Sequence, residues 1–269
     1  KFAEGQPLTH SEPARLVELP LNAQLDDVVG GLDERVTDSD RMRLRRGILS
    51  HADNNILFVD EINLLSDEII NAILDAAAAG TYTVRRGPLT ATYRSRFILV
   101  GSMNPEEGNL RPQIMDRFGL RVIVRGLTDR QERLEAYRRV RAYRHNPRRT
   151  IAEYAPDTSL ARDEIIHARN VLKQVDLPED VARAGLDLID ALSIDSLRAE
   201  ITLFEAARAY AAADNRTAAT LDDLRIVAPM ALRLRRSSFM TSYIQTQGNE
   251  EQEIHQALSS TISPPQDQP

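Results

Sequence analysis

Two short apolar runs in the first half of the chain have the character of buried parallel strands. The run at 55–59 is rich in strand-forming residues and is followed directly by two acids. Continuous apolar runs of this length are typical of strands that are covered on both faces. A second run, at 97–100, precedes Gly101-Ser102-Met103-Asn104. Because parallel strands need crossover connections, the two runs predict an α/β layer architecture over residues 1–127.

Between these runs the pattern changes twice. Apolar residues recur with helical spacing from Ser66 to Gly80, and glycine is a favourable residue at the C-terminal end of a helix. Residues 82–84 and 89–93 then flank Arg85-Arg86-Gly87-Pro88, which predicts a β-hairpin with a basic tip. The other elements expected here are an extended piece at 16–19, a charged helical stretch that follows Gly31 and runs to Ala52, a short helix at 111–118 and a third strand at 121–124.

Helical periodicity replaces the strand pattern beyond Thr128. Apolar positions recur every three or four residues, with polar residues between them, over five long segments. This predicts an all-helical second domain over residues 128–238, followed by a polar tail or linker at 239–269. The five predicted helices lie at 129–143, 160–173, 178–193, 198–213 and 221–236.

The composition excludes several classes of protein. No apolar run approaches the roughly 20 residues that span a bilayer, and no charged-then-apolar leader is present, so we expect a soluble, cytoplasmic protein with no membrane partner. The absence of cysteine excludes disulfides and thiolate metal sites, and the five histidines are too widely spaced for metal ligands. The net charge of -6 argues against nucleic acid as a general partner.

Asp60 and Glu61 are the first candidates for chemistry, because adjacent carboxylates at the end of a buried strand are costly unless a cation or a reaction uses them. In nucleoside triphosphatases this arrangement is the Walker B motif. The first acid holds Mg²⁺, and the second polarises the water that attacks the γ-phosphate. Taken alone, the same pattern also fits an ordinary junction between a strand and a turn.

Asn104 follows the second strand, so its amide is expected at the same sheet edge as the two acids. There it would hold the attacking water or touch the γ-phosphate, the role called sensor 1 in AAA+ proteins. The alternative is an asparagine that caps the turn before Pro105. We predict that Asp60, Glu61 and Asn104 converge at one edge of the sheet.

Arg117 lies beyond the second strand, within the predicted short helix. A planar guanidinium at this place is suited to reach the γ-phosphate held by a neighbouring subunit, as an arginine finger does. An intrachain salt bridge with Asp116 or Glu107 is the alternative. The residues alone leave the two interpretations open.

Several blocks of the sequence resemble the ATPase subunits of magnesium chelatase, which are AAA+ proteins. The resemblance covers about residues 17–236, and its two narrowest blocks are Asn104-Pro105-Glu106-Glu107-Gly108 and Arg111-Pro112-Gln113 through Asp116-Arg117-Phe118-Gly119-Leu120. It implies an α/β AAA+ core with a parallel sheet, followed by an all-helical lid domain. It also implies ATP and Mg²⁺ as cofactors.

The resemblance extends to site residues in both parts of the chain. It implies that Asp60 binds Mg²⁺, that Glu61 and Asn104 act in hydrolysis, and that Arg117 is the finger. In the helical part, Ser196-Leu197-Arg198-Ala199-Glu200 matches the segment that carries the sensor 2 arginine of the family, with serine in place of the usual first glycine. Arg198 is therefore expected to contact the phosphates of the nucleotide.

The phosphate-binding loop is the largest departure from the family pattern, since no G-x-x-x-x-G-K-[ST] occurs in the 269 residues. The family places this loop upstream of the position aligned with Lys1. The start on lysine favours a loop that lies outside the given residues over a degenerate copy of the motif.

The resemblance implies a ring-forming ATPase of hexameric type that drives Mg²⁺ insertion into protoporphyrin together with other chelatase subunits. One alternative is the weakly hydrolysing AAA+ part of the larger chelatase subunit, which the proline-containing end at 264–269 fits. Another is a MoxR-type chaperone that acts with a von Willebrand-type partner carrying a metal-binding MIDAS motif. The residues do not identify the client or the ring size.

Overall fold

The computed structural model describes residues 13–33, 43–108 and 110–235. The chain divides into two compact units, Lys1–Arg117 and Phe118–Pro269. This division falls ten residues before the boundary predicted at 127/128, because residues that follow Arg117 bond to the end of the last helix: the amide of Arg121 donates to the carbonyl of Met230. The predicted tail at 239–269 lies outside the described residues.

In its described residues, the first unit contains a parallel sheet, a hairpin and four α-helices of differing length. Its elements are β1 (Leu16–Leu19), α1 (Leu25–Val29), α2 (Ile48–His51), β2 (Ile56–Val59), α3 (Asp67–Ala79), β3 (Thr81–Arg86), β4 (Leu89–Arg94), β5 (Ile98–Gly101) and α4 (Pro112–Met115).

The parallel sheet has the order β1-β2-β5, with β2 in the centre. Leu57 and Val59 on β2 are fully buried, as the apolar run predicted. α3 also follows its sequence signals, because the Ser66 hydroxyl accepts a hydrogen bond from the Ile69 amide and Gly80 ends the helix with φ 67°. The predictions for β2 and α3 are confirmed. β5 also forms as a strand, but its predicted burial is wrong: Ile98 and Val100 are exposed, because β5 lies at the edge of the described sheet.

The β3-β4 hairpin is also confirmed. Its strands pair from Thr81↔Arg94 to Arg86↔Leu89, so that Gly87 and Pro88 form the turn. The rings of Tyr82 and Tyr93 lie on opposite strands with centroids 5.6 Å apart. Cross-strand aromatic pairs of this kind stabilise antiparallel strands.

The prediction of a charged helical stretch between Gly31 and Ala52 is wrong over residues 43–47, where no helix forms. There the backbone pairs with residues 31–33, which precede the undescribed residues 34–42. The Asp33 amide donates to the Arg43 carbonyl and the Arg45 amide donates to the Gly31 carbonyl, each at 2.8 Å. Within residues 43–51, helix forms only over α2, because the Arg43 carbonyl and the Arg45 amide are already used in this pairing.

The prediction of a third strand at 121–124 is also wrong. The side chains of Val122, Ile123 and Val124 are exposed, and these residues have no strand partner among the described parts of the chain. A parallel strand exists only when a neighbour accepts and donates its backbone hydrogen bonds, and β propensity cannot supply that neighbour.

The second unit is all-helical within the described residues. Its helices are α5 (Arg130–His145), α6 (Pro147–Glu153), α7 (Ala155–Val171), α8 (Glu179–Ala191), α9 (Leu197–Ala213) and α10 (Leu221–Leu232). α6 was not predicted, although Asn146 caps it and Pro147 occupies its first turn, which together form a recognisable start signal. α8, α9 and α10 supply the core, which includes Ile189, Leu203 and Val227.

A buried carboxylate fixes the start of α10. Asp223 is 1% exposed, accepts two hydrogen bonds from the Arg216 guanidinium, and forms a reciprocal capping box with Thr220. The Arg216 hydrogen bond is the main reason that the pKa of Asp223 lies below its ordinary value. The ionised form is therefore stabilised in the folded state.

Asp223→Ala should lower the free energy of unfolding of the helical unit by about 3 kcal/mol, because it leaves Arg216 without its buried partner and removes a helix cap. Urea unfolding at neutral pH, followed by far-UV circular dichroism, measures the loss. Asp222→Ala is the matched control, since Asp222 forms only an exposed pair with Arg225. Because the folded-state pKa of Asp223 is lowered, the difference between wild type and Asp223→Ala should disappear as the pH falls well below about 4. Equal losses for both variants would contradict this role.

Candidate functional site

The carboxyl ends of β2 and β5 lie side by side and carry the candidate residues. The strands are parallel and paired up to Val59↔Gly101. Asp60 and Glu61 therefore leave the sheet next to Ser102, and the Asn104 carbonyl lies 3.5 Å from the Asn63 side-chain nitrogen. The predicted convergence of Asp60, Glu61 and Asn104 at one edge is confirmed.

Ser102 holds the two acids in place. Its hydroxyl donates to the Asp60 carboxylate and accepts a hydrogen bond from the Glu61 amide at 3.0 Å. Its main chain is bonded on both sides, to the Val59 carbonyl and from the Ile62 amide, each at 3.0 Å. The sequence pattern assigned no role to Ser102, although its place between the strand end and Asn104 was a usable signal.

Glu61 has a left-handed backbone conformation, with φ 48° and ψ 50°. A non-glycine residue in this region stores about 1 kcal/mol of strain or more, so the surrounding contacts must hold it there. The Ser102 hydroxyl is one such contact, since it binds the Glu61 amide. The conformation turns the chain sharply at the site before the short 3₁₀ turn Ile62–Leu64.

Negative charge accumulates around Glu61. The charge of Glu107 raises the pKa of the Glu61 carboxyl, and partial desolvation and the charge of Asp60 raise it further. The neighbouring negative charges therefore favour the protonated form of Glu61. A raised pKa also makes Glu61 a better proton acceptor from water than an ordinary carboxylate.

Asn104 caps the 3₁₀ turn Pro105–Glu107, as the structural alternative proposed. Its Oδ1 accepts a hydrogen bond from the Glu106 amide at 3.2 Å. This cap uses only the oxygen of the side chain, so the Nδ2 donor is not committed by it. The Asn63 side chain also fixes the place of Asn104 beside the acids, because its Nδ2 donates to the Asn104 and Gly108 carbonyls.

Arg117 lies in the turn directly after α4 and forms an ion pair. Its Nη1 donates to the Asp75 carboxylate on α3 at 2.6 Å, with side-chain exposures of 34% for Arg117 and 69% for Asp75. Sequence reasoning considered Asp116 and Glu107 but not Asp75, which is 42 residues away in the chain. Ion pairs this exposed contribute about 1 kcal/mol or less, so a phosphate can replace Asp75 at little cost.

Arg198 belongs to the helical unit, where it is the second residue of α9 and follows Ser196 at the helix start. The strand-edge residues and Arg117 belong to the first unit. The structure therefore brings Asp60, Glu61 and Asn104 together, and it assigns the two candidate arginines to separate units.

The donor set at the strand edge fits Mg²⁺ held jointly with phosphates. Within the described ranges no group of three or more His, Cys, Asp or Glu side chains could enclose a metal ion. Mg²⁺ in nucleotide sites is held by one or two carboxylates, with water and phosphate oxygens completing its shell. Asp60 supplies such a carboxylate, and the raised pKa of Glu61 reports the negative potential that attracts a cation.

No helix among the described residues is long and apolar enough to span a membrane.

Comparisons with known proteins relate the chain to one family. A family model described as "Magnesium chelatase, subunit ChlI" matches residues 37–117, and one described as "AAA lid domain" matches residues 187–257. A magnesium-chelatase subunit ChlI homologue from Methanocaldococcus jannaschii is 41% identical over 242 residues, which are 89% of this chain and 66% of the relative. The magnesium-chelatase 38 kDa subunit of Cereibacter sphaeroides is 42% identical over 227 residues, 83% of this chain and 68% of the relative.

The chain thus spans about two thirds of the length of these curated relatives. Among solved structures, a crystal structure of a candidate ATPase from Cytophaga hutchinsonii superposes with a TM-score of 0.60 and 21% identity. The match covers 82% of this chain and 68% of the other. Together with the lid-domain family match, this likeness confirms the predicted fold, an α/β AAA+ core followed by a helical lid.

Ser102→Ala should raise the Mg²⁺ concentration needed for half-maximal ATP hydrolysis about tenfold, because the Asp60 carboxylate loses the hydroxyl that orients it. The full-length protein is assayed at saturating ATP over a Mg²⁺ titration. Ser159→Ala, on the exposed surface of α7, is the control and should leave the titration unchanged. An unaltered Mg²⁺ requirement in Ser102→Ala would remove the orienting role.

Proposed function

The chain belongs to the magnesium-chelatase ChlI family of AAA+ proteins, and from this premise we propose that it is the ATP-hydrolysing subunit of a magnesium chelatase. In this proposal ATP with Mg²⁺ is the cofactor and a ring of identical subunits is the active assembly. Hydrolysis drives the insertion of Mg²⁺, as substrate, into protoporphyrin IX with other chelatase subunits. The observation that carries the proposal is the placing of Asp60 and Glu61 beside Asn104 at the carboxyl edge of a parallel sheet.

Asp60 is the residue that would hold the cation. Bound ATP supplies the phosphoryl group that is transferred to water, and its Mg²⁺ neutralises phosphate charge. Ser102 orients the Asp60 carboxylate by donating to one of its oxygens, which leaves the other oxygen for the cation.

Glu61 would polarise the attacking water. Its pKa is raised chiefly by Glu107, so its carboxylate holds a proton from water more strongly than an ordinary glutamate does. The left-handed backbone at Glu61 turns the chain sharply after Asp60. The two consecutive acids can therefore serve two different tasks. Asn104 would fix the water or the γ-phosphate through its Nδ2 donor, since its Oδ1 is used in capping.

The two arginines would act on phosphates from different units of the subunit. Arg117 would leave the exposed Asp75 carboxylate and contact the γ-phosphate held by a neighbouring subunit, where developing charge needs a bidentate cation. Arg198 would contact the phosphates bound in its own subunit from the start of α9. The matches of both positions to the family pattern support these roles.

Glu61→Gln in the full-length protein should leave ATP binding intact and slow hydrolysis by at least about a hundredfold, because it removes the proton acceptor while retaining the shape of the side chain. Equilibrium titration with ATP and steady-state phosphate release measure the two quantities separately. Glu164→Gln, on the exposed part of α7, is the control for loss of a surface charge. Turnover that is unchanged in Glu61→Gln would show that Glu61 has a structural role only.

Mixing Arg117→Ala subunits with Glu61→Gln subunits should restore part of the hydrolysis that each variant loses alone. Some interfaces in mixed rings then pair an intact Arg117 with an intact Glu61. The loss in Arg117→Ala alone should be on the order of a thousandfold, as for other arginine fingers. Phosphate release is measured at a protein concentration at which rings form, and mass spectrometry establishes that the rings are mixed. Mixed rings without rescue would show that Arg117 does not act in trans.

A further inference from the structure

Arg235 is a buried arginine that contacts three separate parts of the helical unit. The exposed fraction of the residue is only 8%. Its Nε donates to the Ala231 carbonyl in the last turn of α10 at 2.6 Å. Its Nη2 donates to the carbonyls of Phe118 at 3.2 Å and Gly119 at 3.0 Å, and lies 3.4 Å from the Thr202 hydroxyl on α9. A guanidinium is seldom buried unless its donors are satisfied, so these acceptors explain its place.

A second arginine fastens the same segment of chain to the end of α10. The Arg121 amide donates to the Met230 carbonyl at 2.9 Å, and its Nη1 donates to the Arg233 carbonyl at 2.6 Å. The segment from Phe118 to Arg121 is therefore bonded at both ends to the last helix or to the residues that follow it. It is part of the helical unit and not a free connection.

Two of the residues that Arg235 contacts lie close in the chain to the two arginines that are proposed to bind phosphates. Phe118 is the residue after Arg117, the proposed finger. Thr202 lies four residues after Arg198 on α9, so the two side chains occupy the same face of that helix one turn apart. Arg235 thus joins the helix that carries the proposed sensor 2 arginine to the main chain that directly follows the finger.

We propose that Arg235 is a positioning residue that couples the nucleotide bound in a subunit to the finger that the same subunit offers to its neighbour. Nucleotide contact at Arg198 biases the position of α9, and the guanidinium of Arg235 transmits that position to Phe118 and hence to Arg117. Arginine suits this task because its planar guanidinium carries donors on several nitrogens in a fixed arrangement, so that Nε and Nη2 reach carbonyls in different parts of the chain, whereas lysine has a single nitrogen. The inference rests on the proposed function, since it requires Arg117 to act in trans.

Hydrolysis by mixed rings distinguishes a defect in the finger from a defect in the subunit's own catalytic site. Arg235→Met retains an unbranched side chain but removes every donor, and it should slow hydrolysis by ten- to a hundredfold, on the order expected for a small misplacement of a reacting group. Glu61→Gln subunits carry intact fingers, whereas Arg117→Ala subunits carry intact sites for hydrolysis. Mixing with Glu61→Gln should therefore restore activity to Arg235→Met, and mixing with Arg117→Ala should not.

The opposite results would overturn the inference. Rescue by Arg117→Ala would show that Arg235→Met still supplies a working finger and has lost its own site. Rescue by both partners, or by neither in rings shown to be mixed, would reduce Arg235 to a general structural residue. The reference mixture of Arg117→Ala with Glu61→Gln tests the proposed function alone. Its failure would contradict the trans finger, and the coupling through Arg235 would fail with it.

Two further variants guard against a folding defect. Circular dichroism melting identifies whether Arg235→Met is folded, and if it is not, Arg235→Lys is mixed in the same way and decides the question. Arg235→Lys should show a smaller loss with the same pattern of rescue, because lysine can reach only part of the carbonyl set. Arg225→Met, on the exposed face of α10, is the matched control and should retain the hydrolysis rate of the wild type.

Discussion

The in-register pairing of two parallel strands is the constraint on which the candidate site depends. β2 and β5 end together at Val59↔Gly101, and their next residues bond directly through Ser102. Residues more than 40 positions apart in the chain thereby reach one edge of the sheet. Because side chains alternate between the faces of a strand, a shift of one residue in this pairing would separate Asp60 from Asn104.

Hydrogen bonds to the main chain, more than apolar packing, define the local geometry of that edge. Ser102 bonds both acids, and Asn63 and Asn104 fix the following turn. The cost of this arrangement is mutual repulsion, since Glu107 and Asp60 raise the pKa of Glu61. In the proposed function, Mg²⁺ bound together with ATP would relieve this repulsion.

The helical unit uses buried polar contacts for a different purpose. Asp223 with Arg216 fixes the start of α10, and Arg235 fixes its end to α9 and to the chain at Phe118. Apolar side chains between helices permit several similar packings, whereas satisfied buried hydrogen bonds select one. These contacts fix both ends of α10 within the helical unit.

The sequence by itself determined the elements whose signals are local. The helix between Ser66 and Gly80 has its cap and its stop within its own residues, and the apolar runs at 56–59 and 98–100 both form strands, although only β2 is buried. Parallel pairing then sufficed to predict that Asp60 and Asn104 would meet. Tertiary structure alone decided that 121–124 would have no strand partner among the described residues and that Arg117 would pair with Asp75. Hydrogen bonds and ion pairs between distant residues depend on which surfaces the fold brings together, and no periodicity in the chain encodes those partners.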